Sequence, residues 1–210
     1  MEELVLIGFG GHAKSVIDSI LLGGKYHIYG ALDEDKIGEK YRDCEVIGND
    51  AMLPELFQKG IKNVFITIGY MGNSSLRTKL YQRIINIGFQ LPSIIDPSAQ
   101  VAKDVKIGEG TFVGKNVVIN AQAIIGKMNI INTGAIIEHE CKIGDYSHIA
   151  IGAKLSGNVK VDNAAFVGAG SVVIQGINIG KEAIVGAGAV VIRDVMENST
   201  IVGNPAKRIK

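Results

Sequence analysis

The sequence has no tryptophan, only two cysteines and only four prolines among its 210 residues. Cys44 and Cys141 lie too far apart in the chain for a cysteine-based zinc motif, and one pair makes no disulfide framework. A composition that is 47% hydrophobic and poor in proline excludes a disordered or collagen-like chain. A net charge of +1 offers no basic surface for nucleic acid or an anionic membrane. We therefore expect a globular protein from a reducing compartment, without a metal site.

Targeting and membrane-spanning patterns are also missing. The longest uncharged run covers residues 163–180 and contains four glycines and several polar residues, so a membrane span is not expected. The acidic start Met1-Glu2-Glu3 does not have the pattern of a secretion signal. These features predict a cytoplasmic protein.

The first 94 residues alternate between strand and helix patterns. Short apolar runs that end at glycine or acidic residues predict strands, and apolar residues at helical spacing predict helices between them. The expected order is a strand at 4–7, a helix at 13–21, a strand at 27–31, a short helix with Pro54 in its first turn, a strand at 64–68, and a helix from 76 to 87 capped by Asn73 or Ser74. This order predicts a small Rossmann-like βαβαβ domain with a parallel sheet over residues 1–94.

The first strand is followed by a glycine-rich turn, Gly8-Phe9-Gly10-Gly11-His12-Ala13. Glycines let the backbone approach a phosphate or sugar closely, and the start of the next helix favours an anion. An acidic residue after the second strand, Asp33 or Glu34, could reach ribose or sugar hydroxyls. The alternative is a tight turn without a ligand. A nicotinamide cofactor is not expected, because no dehydrogenase domain follows.

The remaining 116 residues have a period of six. Ile, Val or Leu stands at every sixth position without an insertion: Ile95, Val101, Ile107, Val113, Ile119, Ile125, Ile131, Ile137, Ile143, Ile149, Leu155, Val161, Val167, Val173, Ile179, Val185 and Val191. Four positions after each of them the residue is small or β-branched, except at Asn129. A fixed period of this kind is typical of a solenoid. Three hexads would close one triangular coil of 18 residues and bury an aliphatic column, so we predict a β-solenoid domain over residues 95–210.

The hexad pattern resembles the hexapeptide-repeat acyltransferases, and the tail from Val202 to Lys207 is similar to the end of that family. The stretch Ile136-Ile137-Glu138-His139-Glu140-Cys141-Lys142-Ile143-Gly144-Asp145-Tyr146-Ser147-His148 resembles more narrowly the sugar acetyltransferases of the PglD/NeuD type. Gly10-Gly11-His12 and Asn158-Val159-Lys160 match that type as well. The resemblance implies a left-handed parallel β-helix, acetyl-CoA as co-substrate, a nucleotide-sugar substrate, and a homotrimer with active sites between protomers.

The same resemblance assigns the site residues. It implies that His139 is the general base, with Glu140 as its helper, and that the acetyl-CoA site includes His148, Gly157, Ala169 and Ala187. It places the sugar nucleotide at Gly10, Gly11, His12, Asp33, Glu34 and Gly69. Coil geometry adds that Gly157 lies one coil after His139, where its open N–H could stabilise an oxyanion. Phe9 is larger than the residues of the compared family members, and we expect it to affect substrate choice.

These observations predict an acetyl-CoA-dependent acetyltransferase that acts on the amino group of a nucleotide-activated 4-amino-sugar, in bacterial surface glycan synthesis. The amine would attack the thioester directly, since neither cysteine has a base beside it in sequence. Two alternatives remain open at this point. One is O-acetylation of a sialic acid, and the other is a non-catalytic sugar-binding scaffold.

Overall fold

The computed structural model describes residues 1–71 and 74–210, and the chain divides into two compact units. The first unit consists of Met1–Gly69 and Ser75–Pro97, and the second of Tyr70–Ser74 and Ser98–Lys210. The division between Pro97 and Ser98 falls three residues after the end of the first domain expected from the sequence. None of the helices in the described ranges is long and apolar enough to cross a bilayer.

The first unit contains alternating strands and helices. In chain order they are β1 (Glu2–Ile7), α1 (Gly11–Gly23), β2 (Tyr26–Leu32), β3 (Lys40–Tyr41), β4 (Cys44–Gly48), a 3-10 turn (Asp50–Met52), α2 (Leu53–Gln58), β5 (Asn63–Ile66), α3 (Ser75–Ile87) and β6 (Ile94–Ile95). Helix α1 ends where Gly24 takes a left-handed conformation and donates its N–H to the Ile20 carbonyl. Pro54 lies in the first turn of α2, as predicted. Asn73, a predicted cap of α3, lies outside the described residues.

The sheet of the first unit has the order β3-β4-β2-β1-β5. Strands β1, β2, β4 and β5 are parallel, which confirms the predicted Rossmann-like βαβ arrangement. The hairpin of β3 and β4, with β4 beside β2, was not predicted. Strand β3 has only two residues, too few to show a pattern in the sequence.

The second unit is a parallel β-helix with three faces of two-residue strands. The first face contains β7 (Gln100–Val101), β10 (Val118–Ile119), β13 (Ile136–Ile137), β16 (Lys154–Leu155), β19 (Val172–Val173) and β22 (Val190–Val191). The second face contains β8 (Lys106–Ile107), β11 (Ile124–Ile125), β14 (Lys142–Ile143), β17 (Lys160–Val161) and β20 (Asn178–Ile179). The third contains β9 (Phe112–Val113), β12 (Ile130–Ile131), β15 (His148–Ile149), β18 (Phe166–Val167), β21 (Ile184–Val185), β23 (Thr200–Val202) and the antiparallel β24 (Lys207–Arg208).

Neighbouring strands of a face pair residues 18 positions apart, as the period of six predicts. The aliphatic column from Val113 to Val191 is at most 3% exposed at every sixth position. Burial of each such side chain contributes about 1.5–3 kcal/mol to folding, which makes this column the main source of the unit's stability. The predicted first member of the column, Ile95, differs from the others in burial, because its side chain is 43% exposed while Ile94 is buried. Both residues form β6, which ends the strand order of the third face.

Most glycines of the β-helix occupy two kinds of corner position, for two different reasons. One kind directly follows the buried aliphatic residue. A Cβ on Gly108, for example, would lie 2.6 Å from the backbone of Gly126 in the next coil. The other kind stands two positions later, where the backbone is left-handed, as at Gly134 with φ of +67°. These glycines of the β-helix therefore serve coil stacking and the corner turn.

Candidate active site

His139 and Glu140 form an exposed pair at the corner between β13 and β14. The Nδ1 atom of His139 lies 3.0 Å from Oε2 of Glu140, and the two side chains are 59% and 58% exposed. When the imidazole is neutral, donation from Nδ1–H to the carboxylate leaves Nε2 with the lone pair that can accept a proton. This is the arrangement that general-base catalysis requires.

The backbone of this corner is fixed by the coils on both sides. The Glu140 N–H donates to the Ala121 carbonyl at 2.9 Å, and the Asn158 N–H donates to the His139 carbonyl at 2.8 Å. Oε2 of Glu138 accepts the His139 N–H at 3.3 Å. The backbone is therefore held on both sides while the imidazole itself extends into solvent, where it can meet a substrate.

Gly157 provides the space in which the imidazole lies. A Cβ built on Gly157 would be 2.6 Å from both Cε1 and Nε2 of His139, so any larger residue would displace the ring. Within the described ranges, the Gly157 N–H donates no hydrogen bond, so it can serve a ligand. An open groove of about 500 Å³ begins here and is lined by His139, Ser156, Gly157, Asn158, Gln175 and Gly176. The groove can hold an extended ligand beside Nε2.

His148 is half-buried on the outer side of the third face. Its Nδ1–H donates to the Tyr70 carbonyl at 2.9 Å, and its Nε2 lies 3.4 Å from Nδ2 of Asn132. The ring meets Phe166 edge-on, with the centroids 5.2 Å apart, and the Tyr70 hydroxyl donates to the Tyr146 carbonyl. Tyr70 was not singled out from the sequence, because nothing in its local pattern indicates a contact with a residue 78 positions away.

Ala169 and Ala187 lie at the corners between the third and first faces, after β18 and β21. They stack one above the other, and the Gly188 N–H donates to the Ala169 carbonyl at 2.8 Å. His139 and Gly157 occupy a different edge, between the first and second faces. One chain therefore does not bring all the residues assigned to acetyl-CoA to the same edge of its β-helix.

The glycine turn of the first unit lets other groups approach its backbone closely. Gly8 has φ of +97°, and a Cβ there would lie 2.6 Å from Cγ1 of Ile68. Gly10 directly precedes α1, and nothing lies within 4 Å of the Cβ positions of Gly10 or Gly11. Gly69 adjoins His12, because a Cβ on Gly69 would be 3.8 Å from Cβ of His12. These four predicted residues, Gly10, Gly11, His12 and Gly69, therefore lie around the start of α1.

The two predicted acids after β2 differ in their environment. Oδ2 of Asp33 accepts the Phe9 N–H at 2.8 Å, and Oδ1 accepts the Asp35 N–H at 3.2 Å. Glu34 is exposed beside it. The Phe9 side chain is only 1% exposed, so it packs in the core and does not face the turn. The Phe9 ring therefore offers no exposed surface to a substrate, and its effect on substrate choice stays a prediction.

Neither cysteine has the properties of a nucleophile. Burial raises the pKa of the Cys44 thiol to about 11, and it raises the pKa of Cys141 as well. Both thiols therefore stay protonated at neutral pH. Among the residues that the structure describes, no group of three or more His, Cys, Asp or Glu side chains could hold a metal ion.

Two family models and one curated relative match parts of the chain. Residues 3–84 match the family model described as the PglD N-terminal domain, and residues 158–193 match the hexapeptide repeat of succinyl-transferase. A curated relative, an uncharacterized protein of Acanthamoeba polyphaga mimivirus, is 34% identical over 118 residues, which are 56% of this chain. The matched part spans about a fifth of that relative's length, 22%.

Three solved structures match the chain over its whole length. PerB from Caulobacter crescentus, in complex with CoA and GDP-perosamine, is 40% identical, with a TM-score of 0.93 over 100% of this chain and 98% of that one. The acetyltransferase domain of PglB from Neisseria gonorrhoeae is 31% identical, with a TM-score of 0.93 over 100% of both chains. WeeI from Acinetobacter baumannii is 28% identical, with a TM-score of 0.86 over 100% of both chains.

The similarity therefore covers both units, at an identity that shows common family membership. The PglD-type first unit, the β-helix of hexapeptide repeats and the His139–Glu140 corner occur together in one chain. On this evidence the chain belongs to the hexapeptide-repeat acyltransferases with a left-handed β-helix, within the sugar acetyltransferases of the PglD/NeuD type.

Proposed function

We propose that the chain is an acetyl-CoA-dependent N-acetyltransferase whose acceptor is a nucleotide-activated 4-amino-sugar. The observation that carries the proposal is the exposed His139–Glu140 pair, 3.0 Å apart, beside the open groove at Gly157. The similarity to PerB, which was solved with CoA and GDP-perosamine, supports the choice of both substrates. Such substrates are cytoplasmic metabolites, so we place the enzyme in the cytoplasm and its reaction in surface glycan synthesis.

In the proposed reaction, Nε2 of His139 removes a proton from the sugar amine as the amine nitrogen attacks the thioester carbonyl carbon. The C–N bond forms, and the carbonyl oxygen becomes an oxyanion to which the Gly157 N–H can donate. The C–S bond then breaks, and the CoA thiolate takes the proton from the His139 imidazolium. Glu140 holds the required tautomer and stabilises the imidazolium.

The acetyl-CoA groove fits a position between subunits better than a position on one chain. His139 and Gly157 lie on one edge of the β-helix, whereas Ala169 and Ala187 lie on another. We propose a homotrimer in which the edge carrying His139 in one protomer faces the edge carrying Ala187 in the next. The apolar outer residues of the third face, such as Phe166 and Ile184, suit a covered surface.

Incubation with acetyl-CoA and nucleotide-linked 4-amino-sugars, followed by mass spectrometry, tests the acceptor. We expect an alkali-stable amide with one added acetyl group. An alkali-labile ester on a sialic acid would instead favour O-acetylation, and absence of both transfer and CoA binding would favour a non-catalytic scaffold.

His139→Ala should abolish transfer while acetyl-CoA still binds. Turnover near the wild-type rate would contradict the role of His139.

His27→Ala is the matched control for that variant. Nδ1 of His27 lies 2.9 Å from Oε2 of Glu3, an exposed pair of similar geometry in the first unit. Its loss should leave turnover unchanged.

The site between subunits has its own test. Co-expression of His139→Ala with Ala187→Trp should restore activity that each variant lacks alone. Light scattering that finds a monomer would contradict the trimer.

A further inference from the structure

The glycine turn before α1 is held in place by the loop that follows β2. Both backbone polar groups of Phe9 bond to side chains of that loop. The Phe9 N–H donates to Oδ2 of Asp33 at 2.8 Å, and Nζ of Lys36 donates to the Phe9 carbonyl at 2.9 Å. The two bonds orient the peptide groups on either side of Phe9 independently of its buried ring.

The bond from Lys36 fixes the direction of a neighbouring donor. The Phe9–Gly10 peptide is planar and trans, so its carbonyl and the Gly10 N–H point in opposite directions. Because Lys36 holds the carbonyl, the Gly10 N–H points away from Lys36. In the part of the chain that the structure describes, the Gly10 N–H makes no hydrogen bond, and Gly10 is exposed at the start of a 13-residue helix.

We propose that Asp33 and Lys36 are positioning residues that aim the Gly10 N–H at the diphosphate of the nucleotide sugar; this rests on the proposed function. The start of a helix with open N–H groups favours a phosphate. Both carboxylate oxygens of Asp33 accept backbone N–H groups of the turn and its loop, which ties this side chain to the position of Phe9. In this role Asp33 acts through Phe9 and Gly10.

Calorimetric titration with GDP and UDP, together with steady-state kinetics, tests this role. We expect Lys36→Met to weaken binding of the nucleoside diphosphate about tenfold, the loss typical of one charge-assisted hydrogen bond. The KM for the nucleotide sugar should rise by a similar factor, with kcat and the KM for acetyl-CoA unchanged. Lys36→Arg should restore binding, because the guanidinium can also donate to the carbonyl.

Hydrogen exchange of the ligand-free protein separates positioning from direct contact. If Lys36 positions the turn, Lys36→Met will raise exchange of the Phe9 amide without any ligand, whereas a lysine that only contacts phosphate would not change it. Asp33→Ala is a second, independent variant with the same expected result. Lys40→Met is the control, since Lys40 pairs with Glu45 in the nearby hairpin and should have no effect.

The outcomes distinguish this inference from the proposed function. Unchanged binding and exchange in both Lys36→Met and Asp33→Ala would overturn the positioning role alone. If Lys40→Met weakened nucleoside diphosphate binding equally, the positioning role would also be overturned. The loss would then follow from removing any positive charge and not from the bond to Phe9. A wild-type protein that binds no nucleoside diphosphate would overturn the acceptor class itself, and the inference with it.

Discussion

The imidazole of His139 occupies the space that a side chain on Gly157 would fill, with Cε1 and Nε2 both 2.6 Å from the position of the missing Cβ. Gly157 follows His139 by 18 residues, one full coil, so the two lie on neighbouring turns of the same edge. The φ of Gly157 is not in the left-handed region. The glycine is therefore required at this corner for space and not for backbone conformation.

Gly157→Ala should displace the His139 ring without unfolding the protein. The backbone accepts alanine, and the ring is the exposed end of a side chain that can swing away. A ring misplaced by about 1 Å can cost roughly 100-fold in rate, so we expect kcat to fall about 10- to 100-fold. Steady-state kinetics and thermal unfolding measure both effects. A double variant with His139→Ala should be no slower than His139→Ala alone, and an additive loss would contradict the mechanism.

Glu140→Gln should lower kcat by about 10- to 100-fold with little change in either KM, because the amide no longer stabilises the imidazolium that forms in the reaction. Glu138→Gln is the matched control. Glu138 accepts the backbone N–H of His139 rather than the ring, so its replacement should have little effect on kcat. Equal losses in both variants would mean that Glu140 has no special part in catalysis.

Stability should fall in alkaline solution partly through Cys44. Its folded-state pKa, about 11, lies above the ordinary value, so the folded state holds the thiol proton more tightly than the unfolded state. The resulting stability is fully present below the unfolded-state pKa and is lost as pH rises toward 11, at up to about 1.4 kcal/mol per pH unit. Denaturant unfolding at pH 8, 9.5 and 10.5 measures the free energy of unfolding. It should decline less steeply with pH in Cys44→Ala than in the wild type, and identical slopes would refute this.

Asn129 offers a test of the polar interior of the β-helix. The residue is fully buried, its Oδ1 accepts the Ser147 N–H at 2.6 Å, and in the described structure its Nδ2 has no hydrogen-bond partner. Asn129→Ala leaves the Ser147 N–H without an acceptor and should cost about 1–3 kcal/mol.

Asn129→Thr should be the milder change. One coil earlier, Oγ1 of Thr111 accepts the Asn129 N–H at 3.1 Å, so a threonine hydroxyl can make this kind of bond. Thr also removes the donor that lacks a partner. Denaturant unfolding should therefore give Asn129→Thr a higher free energy of unfolding than Asn129→Ala. The reverse order would show that the bond to Ser147 contributes nothing to stability.

The sequence predicted the β-helix well because its period repeats many times, and the buried column from Val113 onward follows that period. It did not predict that Ile95, the first residue of the period, is exposed while its neighbour Ile94 is buried. The pairing of His139 with Glu140 was predictable because the residues are adjacent. The bond from Lys36 to Phe9 was not, since a single lysine 27 positions away leaves no pattern in the chain.

The corner that carries His139 and Glu140 has the same backbone as its neighbours. The φ of Glu140 is +61°, and the residues one coil before and after it, Gln122 and Asn158, have φ of +61° and +55°. The pair thus lies at a backbone corner that the fold repeats once per coil. An enzyme designer could install a histidine and a glutamate at positions 121 and 122, with glycine at 139, and move the reactive centre along the β-helix by one strand spacing, about 4.8 Å.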